Sequence, residues 1–219
     1  FADLLRDLQK MPIARVRYTT THPRDLDDET IEVMGNGGNI MPHLHLPVQS
    51  GNNEVLKRMN RKYTREEYLT KIEKLKKAVP GISITTDIIV GFPGETNEDF
   101  EETIDVLKKV RYDTIFSFIY SKRIGTPAAT MEDCLTDEEK HKNFDRLLEV
   151  QNQISKEKND EYLGKCFREI CQVLLETISD AAKVRGTGIA KRTPEYVLQK
   201  MREHNAVLAL YNDEFAGFS

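Results

Sequence analysis

ISITTDIIVGFPGETNEDFEETIDVL (Ile82–Leu107) holds a strand, a glycine loop and a helix in direct succession. Ile82–Val90 is nearly all β-branched, which suits a strand covered on both faces. Gly91-Phe92-Pro93-Gly94-Glu95 then turns the chain. Thr96, followed three residues later by Asp99, opens a helix whose apolar face is Phe100, Ile104 and Leu107.

The same alternation extends in both directions. Upstream, Phe1–Lys10 reads as a helix and Ala14–Thr19 as a short strand. Leu26–Met34 reads as a short helix opened by Asp27, and Ile40–Pro47 as a strand. Glu54–Met59 and Arg65 to about Ala78 are helical, the second with a Thr64/Glu67 capping box and a stripe of Tyr68, Ile72, Leu75 and Val79. Downstream, Thr114–Tyr120 is a fourth strand. Thr136 with Glu139 caps a long helix, with Phe144, Leu147, Leu148 and Ile154 as its stripe, running to about Tyr162. Such a series implies parallel strands with right-handed crossovers. A doubly wound open sheet and a partial TIM-type barrel both fit it, and periodicity does not choose between them.

The chain has 219 residues, a net charge of −4 and a charged fraction of 31%, the profile of a globular protein with amphipathic helices. No run approaches a membrane span and no apolar leader opens the chain. It begins on Phe1 in what reads as mid-helix, so an excised segment lacking the first strands of its sheet is expected. The three cysteines, Cys134, Cys166 and Cys171, are odd in number and without zinc spacing, which predicts free thiols in a reducing cytoplasm.

Sites on parallel sheets form at the carboxyl ends of the strands. Four loops lie there: Thr19–Pro23, Pro47–Gly51, Gly91–Glu95 and Ser121–Pro127. Each combines polar side chains with Gly or Pro, as a backbone approached closely by a ligand requires. Gln49 both donates and accepts, which suits a ribose diol. Asp87, a carboxylate inside a β-branched run, is expected to face a polar interior or its mouth. Arg61 suits a carboxylate, but it reads equally as one of the solvated basic run Lys57, Arg58, Arg61, Lys62 and Arg65.

HLHLPVQSGNNEVLKRMNRKYTREEY (His43–Tyr68), TTDIIVGFPGET (Thr85–Thr96) and YSKRIGTPAA (Tyr120–Ala129) resemble the radical-SAM methylthiotransferases, most closely the MiaB type that acts on tRNA. RVRYTTTHPRDLDDETIEVM (Arg15–Met34) fits the same family, and the likeness covers roughly residues 1–170. The resemblance implies an α/β fold: a partial TIM-type (radical-SAM) barrel of parallel strands over residues 1–165. It also implies S-adenosylmethionine as cofactor. By position, Gln49 matches the residue at the cofactor's ribose, Arg61 the one at its carboxylate, and Asp87 a residue facing it. Gly91, Phe92 and Pro93 match the segment beside the adenine, and Ser50 lies in the same loop as Gln49. Glu95 receives no role. Lys122 and Arg123 are assigned to RNA phosphate or substrate contact.

The family's chemistry uses two [4Fe–4S] clusters, one of them on a CxxxCxxC motif, to cleave S-adenosylmethionine to a 5′-deoxyadenosyl radical. No CxxxCxxC occurs here, so this chain alone is expected not to generate the radical. The expected product is 2-methylthio-N6-isopentenyladenosine in tRNA. Two alternatives stand: a non-catalytic nucleotide- or RNA-binding remnant, and a radical-SAM enzyme of the coproporphyrinogen-oxidising type.

Residues 166–219 depart from the family, where a β-rich TRAM domain is expected. Thr193-Pro194 opens a helix, and Ala206–Tyr211 with Glu214–Phe218 reads as a hairpin about Asn212-Asp213. This segment resembles the start of a GNAT-type acetyltransferase, cut before its acetyl-CoA loop. A fused or joined gene, and association through unpaired strand edges, are the corresponding expectations.

Overall fold

The computed structural model describes residues 1–18, 22–162, 208–211 and 214–218. Helix α1 (Ala2–Gln9) precedes a 3-10 turn (Pro23–Asp25), α2 (Asp28–Gly35), β1 (His43–His45), α3 (Asn53–Arg58), α4 (Arg65–Ala78) and β2 (Ser83–Val90). Then come α5 (Asn97–Val110), β3 (Thr114–Ile119), a second 3-10 turn (Pro127–Thr130) and α6 (Asp137–Tyr162). Strands β4 (Leu208–Tyr211) and β5 (Glu214–Phe218) close the series.

The main sheet runs β1-β2-β3, all parallel, with His45 opposite Thr85 and Asp87 opposite Phe116. Isolated parallel bridges extend it, Val16 to Ile40 and Gln49 to Ile88. The expected first strand is thus a single bridge between charged neighbours, held by the Val16 N–H on Asn39 (2.7 Å) and the Met41 N–H on Val16 (3.0 Å). The chain divides into two compact units, residues 1–156 and 157–219. In the second, β4 and β5 pair antiparallel with a register shift at Ala209/Leu210, where the hairpin was expected. The helix opened by Thr193-Pro194, Cys166 and Cys171 lie outside the described residues, while Cys134 is exposed and free.

The helices start where the sequence places their caps. Thr64 accepts from the Glu67 N–H at 3.2 Å while Glu67 accepts from the Thr64 N–H at 2.8 Å, and Thr96/Asp99 repeat the arrangement. Thr136 and Glu139 do the same at α6. Thr64→Ala should therefore cost about 1 kcal/mol, read as a shift in the urea midpoint without change in its slope. No shift would mean that α4 is held by its packed face alone.

Strand β2 corrects one expectation. It is covered on one face, not two: Ile84, Thr86, Ile88 and Val90 are buried, while Ser83, Thr85, Asp87 and Ile89 alternate with them, half-exposed. The buried face meets α4 and α5 through Tyr68, Ile72, Leu75, Phe100, Ile104 and Leu107. The hydroxyl of Tyr112 donates to that of Tyr68 (2.9 Å), which donates to the Leu46 carbonyl (2.9 Å), so these polar atoms are satisfied at full burial. The other face carries His43, His45, Asp87, Phe116 and Phe118, the two phenylalanines 51% and 55% exposed. Among the described residues no helix is long and apolar enough to cross a membrane.

Candidate functional site

Three loops meet along the carboxyl edge of β1, β2 and β3, following the strand order. The first of the four predicted loops falls on residues 19–21, outside the described residues, and only His22 and Pro23 of it are seen.

The loop after β1 is bound to the sheet by its own backbone. The Gln49 N–H donates to the Asp87 carbonyl (2.9 Å) and the Gln49 carbonyl accepts from the Ile89 N–H (2.9 Å). Gln49 holds φ at 68°, a left-handed conformation that costs a side chain with a Cβ about 1 kcal/mol. Two sheet hydrogen bonds sustain it, and they fix where the side chain leaves the strand. Ser50 behaves differently. Its hydroxyl is fully buried, 3.4 Å from the Thr103 hydroxyl, and accepts from the Asn52 N–H at 3.2 Å, so the structure gives it a loop-bracing role against α5.

Asp87 faces the half-exposed side of β2, as its chemistry required. Its carboxylate lies 3.4 Å from His45 Nε2, and His45 Nδ1 is 2.9 Å from the Thr85 hydroxyl. The same imidazole meets Phe116 edge-on, with ring centroids 5.6 Å apart. His43, two residues away, is 3.1 Å from an Arg17 guanidinium nitrogen. Burial, then the Arg17 charge, lowers the His43 pKa, which keeps a lone pair available to that donor. His43 and His45 were not singled out by the sequence, although the alternation in HLHL at a strand start put both on one face.

Arg61 stands half-buried beyond α3. Burial and, second, its positive charge lower the pKa of His22. Next to it, Tyr63 donates from its hydroxyl to the carbonyls of Pro47 (3.2 Å) and Val48 (3.0 Å), which sets this segment beneath the Gln49 loop. Arg58 is committed to the Gly94 carbonyl and Arg65 to Glu102 and Asp105. Among the described residues the Arg61 guanidinium has no hydrogen-bonded or ion-paired partner.

Gly91, Phe92 and Pro93 open the loop after β2. Gly91 has φ 72° and Gly94 φ 80°, values that favour glycine. Phe92 is buried and meets Tyr120, the first residue past β3, edge-on at 4.9 Å. Glu95, left without a role by the sequence, turns back and accepts from the Gly91 N–H. Burial is the main cause that pushes its carboxyl up to about 7.

The loop after β3 is less available than expected. The Lys122 ammonium is 3.1 Å from Asp133, which also lies 3.2 Å from Lys140. Lys122 is therefore an ion-paired lysine and Arg123 an exposed one. The described residues contain no group of three or more His, Cys, Asp and Glu able to hold a metal. They do not fit an iron–sulfur cluster. Gln49 and the Gly91–Glu95 backbone lie at the carboxyl ends of the strands, and Arg61 follows α3.

Residues 1–107 match the model of the radical SAM superfamily. The chain is 53% identical over 180 residues to the tRNA-2-methylthio-N(6)-dimethylallyladenosine synthase of Acetivibrio thermocellus, covering 82% of this chain and 37% of that protein. It is 52% identical over 194 residues to the Carboxydothermus hydrogenoformans protein of the same name (88% and 42%). The Bacillus thuringiensis one is 48% identical over 205 residues (94% and 37%). The chain thus spans about two fifths of the length of these relatives. Among solved structures it is similar to coproporphyrinogen III oxidase of Escherichia coli, with a TM-score of 0.57 at 19% identity over 70% of this chain and 37% of that one. That likeness is one of fold alone.

Proposed function

We propose that the chain belongs to the radical SAM superfamily and is the barrel portion of a tRNA methylthiotransferase, adding a methylthio group to C2 of N6-isopentenyladenosine. In this reading residues 1–165 are the barrel portion and 166–219 an appendage standing where a TRAM domain would. S-adenosylmethionine and tRNA are its ligands. The likeness in sequence to the named synthases, at about half identity, supports this over the coproporphyrinogen-oxidising alternative, with which only the fold is shared.

The observation that supports the cofactor site is Arg61, whose guanidinium has no hydrogen-bonded or ion-paired partner among the described residues, between the committed Arg58 and Arg65. It would take the cofactor carboxylate, Gln49 the ribose hydroxyls, and the Gly91–Pro93 backbone the adenine edge. Asp87, held by His45, would bound the site on the sheet side. A reduced [4Fe–4S] cluster, whose ligands are not among the described residues, would let bound S-adenosylmethionine supply a 5′-deoxyadenosyl radical, the kind of reagent an unactivated adenine C2–H requires. The described residues contribute binding and orientation to that chemistry, since cluster ligands are not among them. Lys122 and Arg123 stand at the rim for RNA phosphate, Lys122 only by giving up Asp133.

Calorimetric titration of the chain with S-adenosylhomocysteine tests the site. Arg61→Ala should weaken binding roughly ten- to hundredfold, the worth of a charge-assisted hydrogen-bonded pair, and Gln49→Ala by about tenfold. Equal affinity in wild type and both variants would move the cofactor elsewhere. The activity is tested on cluster-loaded full-length protein carrying this barrel. Unmodified isopentenyl-adenosine tRNA at the end of that assay would overturn the assignment.

A further inference from the structure

Lys140 is 6% exposed, in the first turn of α6, far along the chain from every residue assigned to the site. A lysine is seldom so buried unless it is paired. Its stem lies against the loop after β2: a Cβ built on Gly91 would come within 2.6 Å of Lys140 Cγ and 2.7 Å of Cδ. Its ammonium lies 3.2 Å from Asp133, and the second oxygen of that carboxylate holds Lys122 at 3.1 Å. Lys122 sits in the loop after β3. One side chain of α6 thus touches the loop after β2 with its carbon stem and, through one carboxylate, reaches the loop after β3 with its charge.

The two loops meet at a second point above this one. Phe92 and Tyr120 pack edge-on at 4.9 Å, and the Tyr120 N–H donates to the Val90 carbonyl at 2.8 Å. On its far side the loop after β2 is held by Arg58 on the Gly94 carbonyl. Removing Lys140 would therefore leave the loop held by Phe92, Arg58 and the Glu95 carboxylate, without the packed stem against Gly91.

We propose that Lys140 is a positioning residue for the cofactor site, its stem setting the height of the Gly91–Glu95 backbone and its ion pair with Asp133 locking that loop to the one after β3. The inference rests on the reading of this edge as the S-adenosylmethionine site. Lys140 touches no ligand in it. It acts through Gly91 and through Asp133.

Lys140→Met keeps the stem and deletes the charge, Asp133→Asn deletes the opposite charge, and the double variant closes the cycle. Two readouts apply to the whole chain: amide hydrogen exchange across residues 91–95 and 121–126, and affinity for S-adenosylhomocysteine. Each single variant should speed exchange in both loops, leave α4 protected, and weaken binding by roughly tenfold, within the range of coupled neighbours. The double variant should be no weaker than the poorer single one. Should Lys140→Met fold poorly, Asp133→Asn alone carries the same two readouts. Unchanged exchange and affinity in the single variants, or losses that add fully in the double, would overturn the positioning role while leaving the site reading intact. A wild-type chain that does not bind S-adenosylhomocysteine would overturn the site reading, and the positioning role with it.

Discussion

Gly51→Ala should destabilise residues 1–156 by about 3 kcal/mol or more, a large cost for one methyl group. A Cβ at this position would lie 2.4 Å from the Glu102 carbonyl oxygen and 2.5 Å from Thr103 Cα. Both atoms belong to the backbone of α5, so neither can swing aside as a side chain would. The closeness has a purpose on the page: the Gly51 N–H donates to the buried Thr103 hydroxyl at 2.8 Å, and Asn52 reaches Glu102 at 3.0 Å. Asn52 in turn caps α3, accepting from the N–H groups of Glu54 and Val55. Pushing the loop off α5 would break these bonds and move Gln49, two residues upstream. Urea unfolding checks the stability, and the same sample should lose S-adenosylhomocysteine binding. A loss below about 1 kcal/mol would mean that α5 shifts easily, and that the loop is not fixed by this contact.

How much of this was legible in the sequence depends on whether a feature is local. The capped helices were, because Thr64, Thr96 and Thr136 act on residues three positions away. Strand β2 was placed correctly but read as covered twice. Thr85 is β-branched yet polar, so counting β-branched residues hid a period of two that Ser83, Thr85 and Asp87 spell out beside Ile84, Thr86 and Ile88. At the site, Gln49 was legible as the end of a strand, while its left-handed backbone was not, since nothing in a Gln announces that conformation. The ion pair of Lys122 was not legible, because Asp133, its partner, lies in another segment. The contact of Ser50 with Thr103 was not legible either, since 53 residues separate them. Lys140 carried no sequence signal at all. Its contact with Gly91 depends on α6 packing against the loop after β2, a tertiary fact.

Glu95→Gln should abolish a fall in stability that wild type shows between about pH 4.5 and pH 7. Glu95 is 1% exposed, and burial raises its carboxyl from 4.5 to about 7. Between those values the folded chain keeps a proton that the unfolded chain has released. Folding then binds protons, so stability is greatest below about 4.5, declines as pH rises through the window, and levels off above 7. The gap corresponds to about 3 kcal/mol, the net cost of burying the charged form after the Gly91 N–H and Lys140 have offset part of it. His22 and His43, whose pKa values are lowered, tilt the curve the other way, losing stability as pH falls. Subtracting the variant's curve from the wild type's isolates Glu95. A Gln side chain keeps an oxygen for the Gly91 N–H and has no proton to release. The variant should therefore match wild type near pH 5 and exceed it by roughly 1–3 kcal/mol at pH 8. Parallel curves across that range would show that Glu95 ionises freely, and that the turn joining Gly91 to Glu95 is open to water. The glycine loop would then owe its height to Lys140 and Arg58, the two contacts that do not depend on the carboxylate.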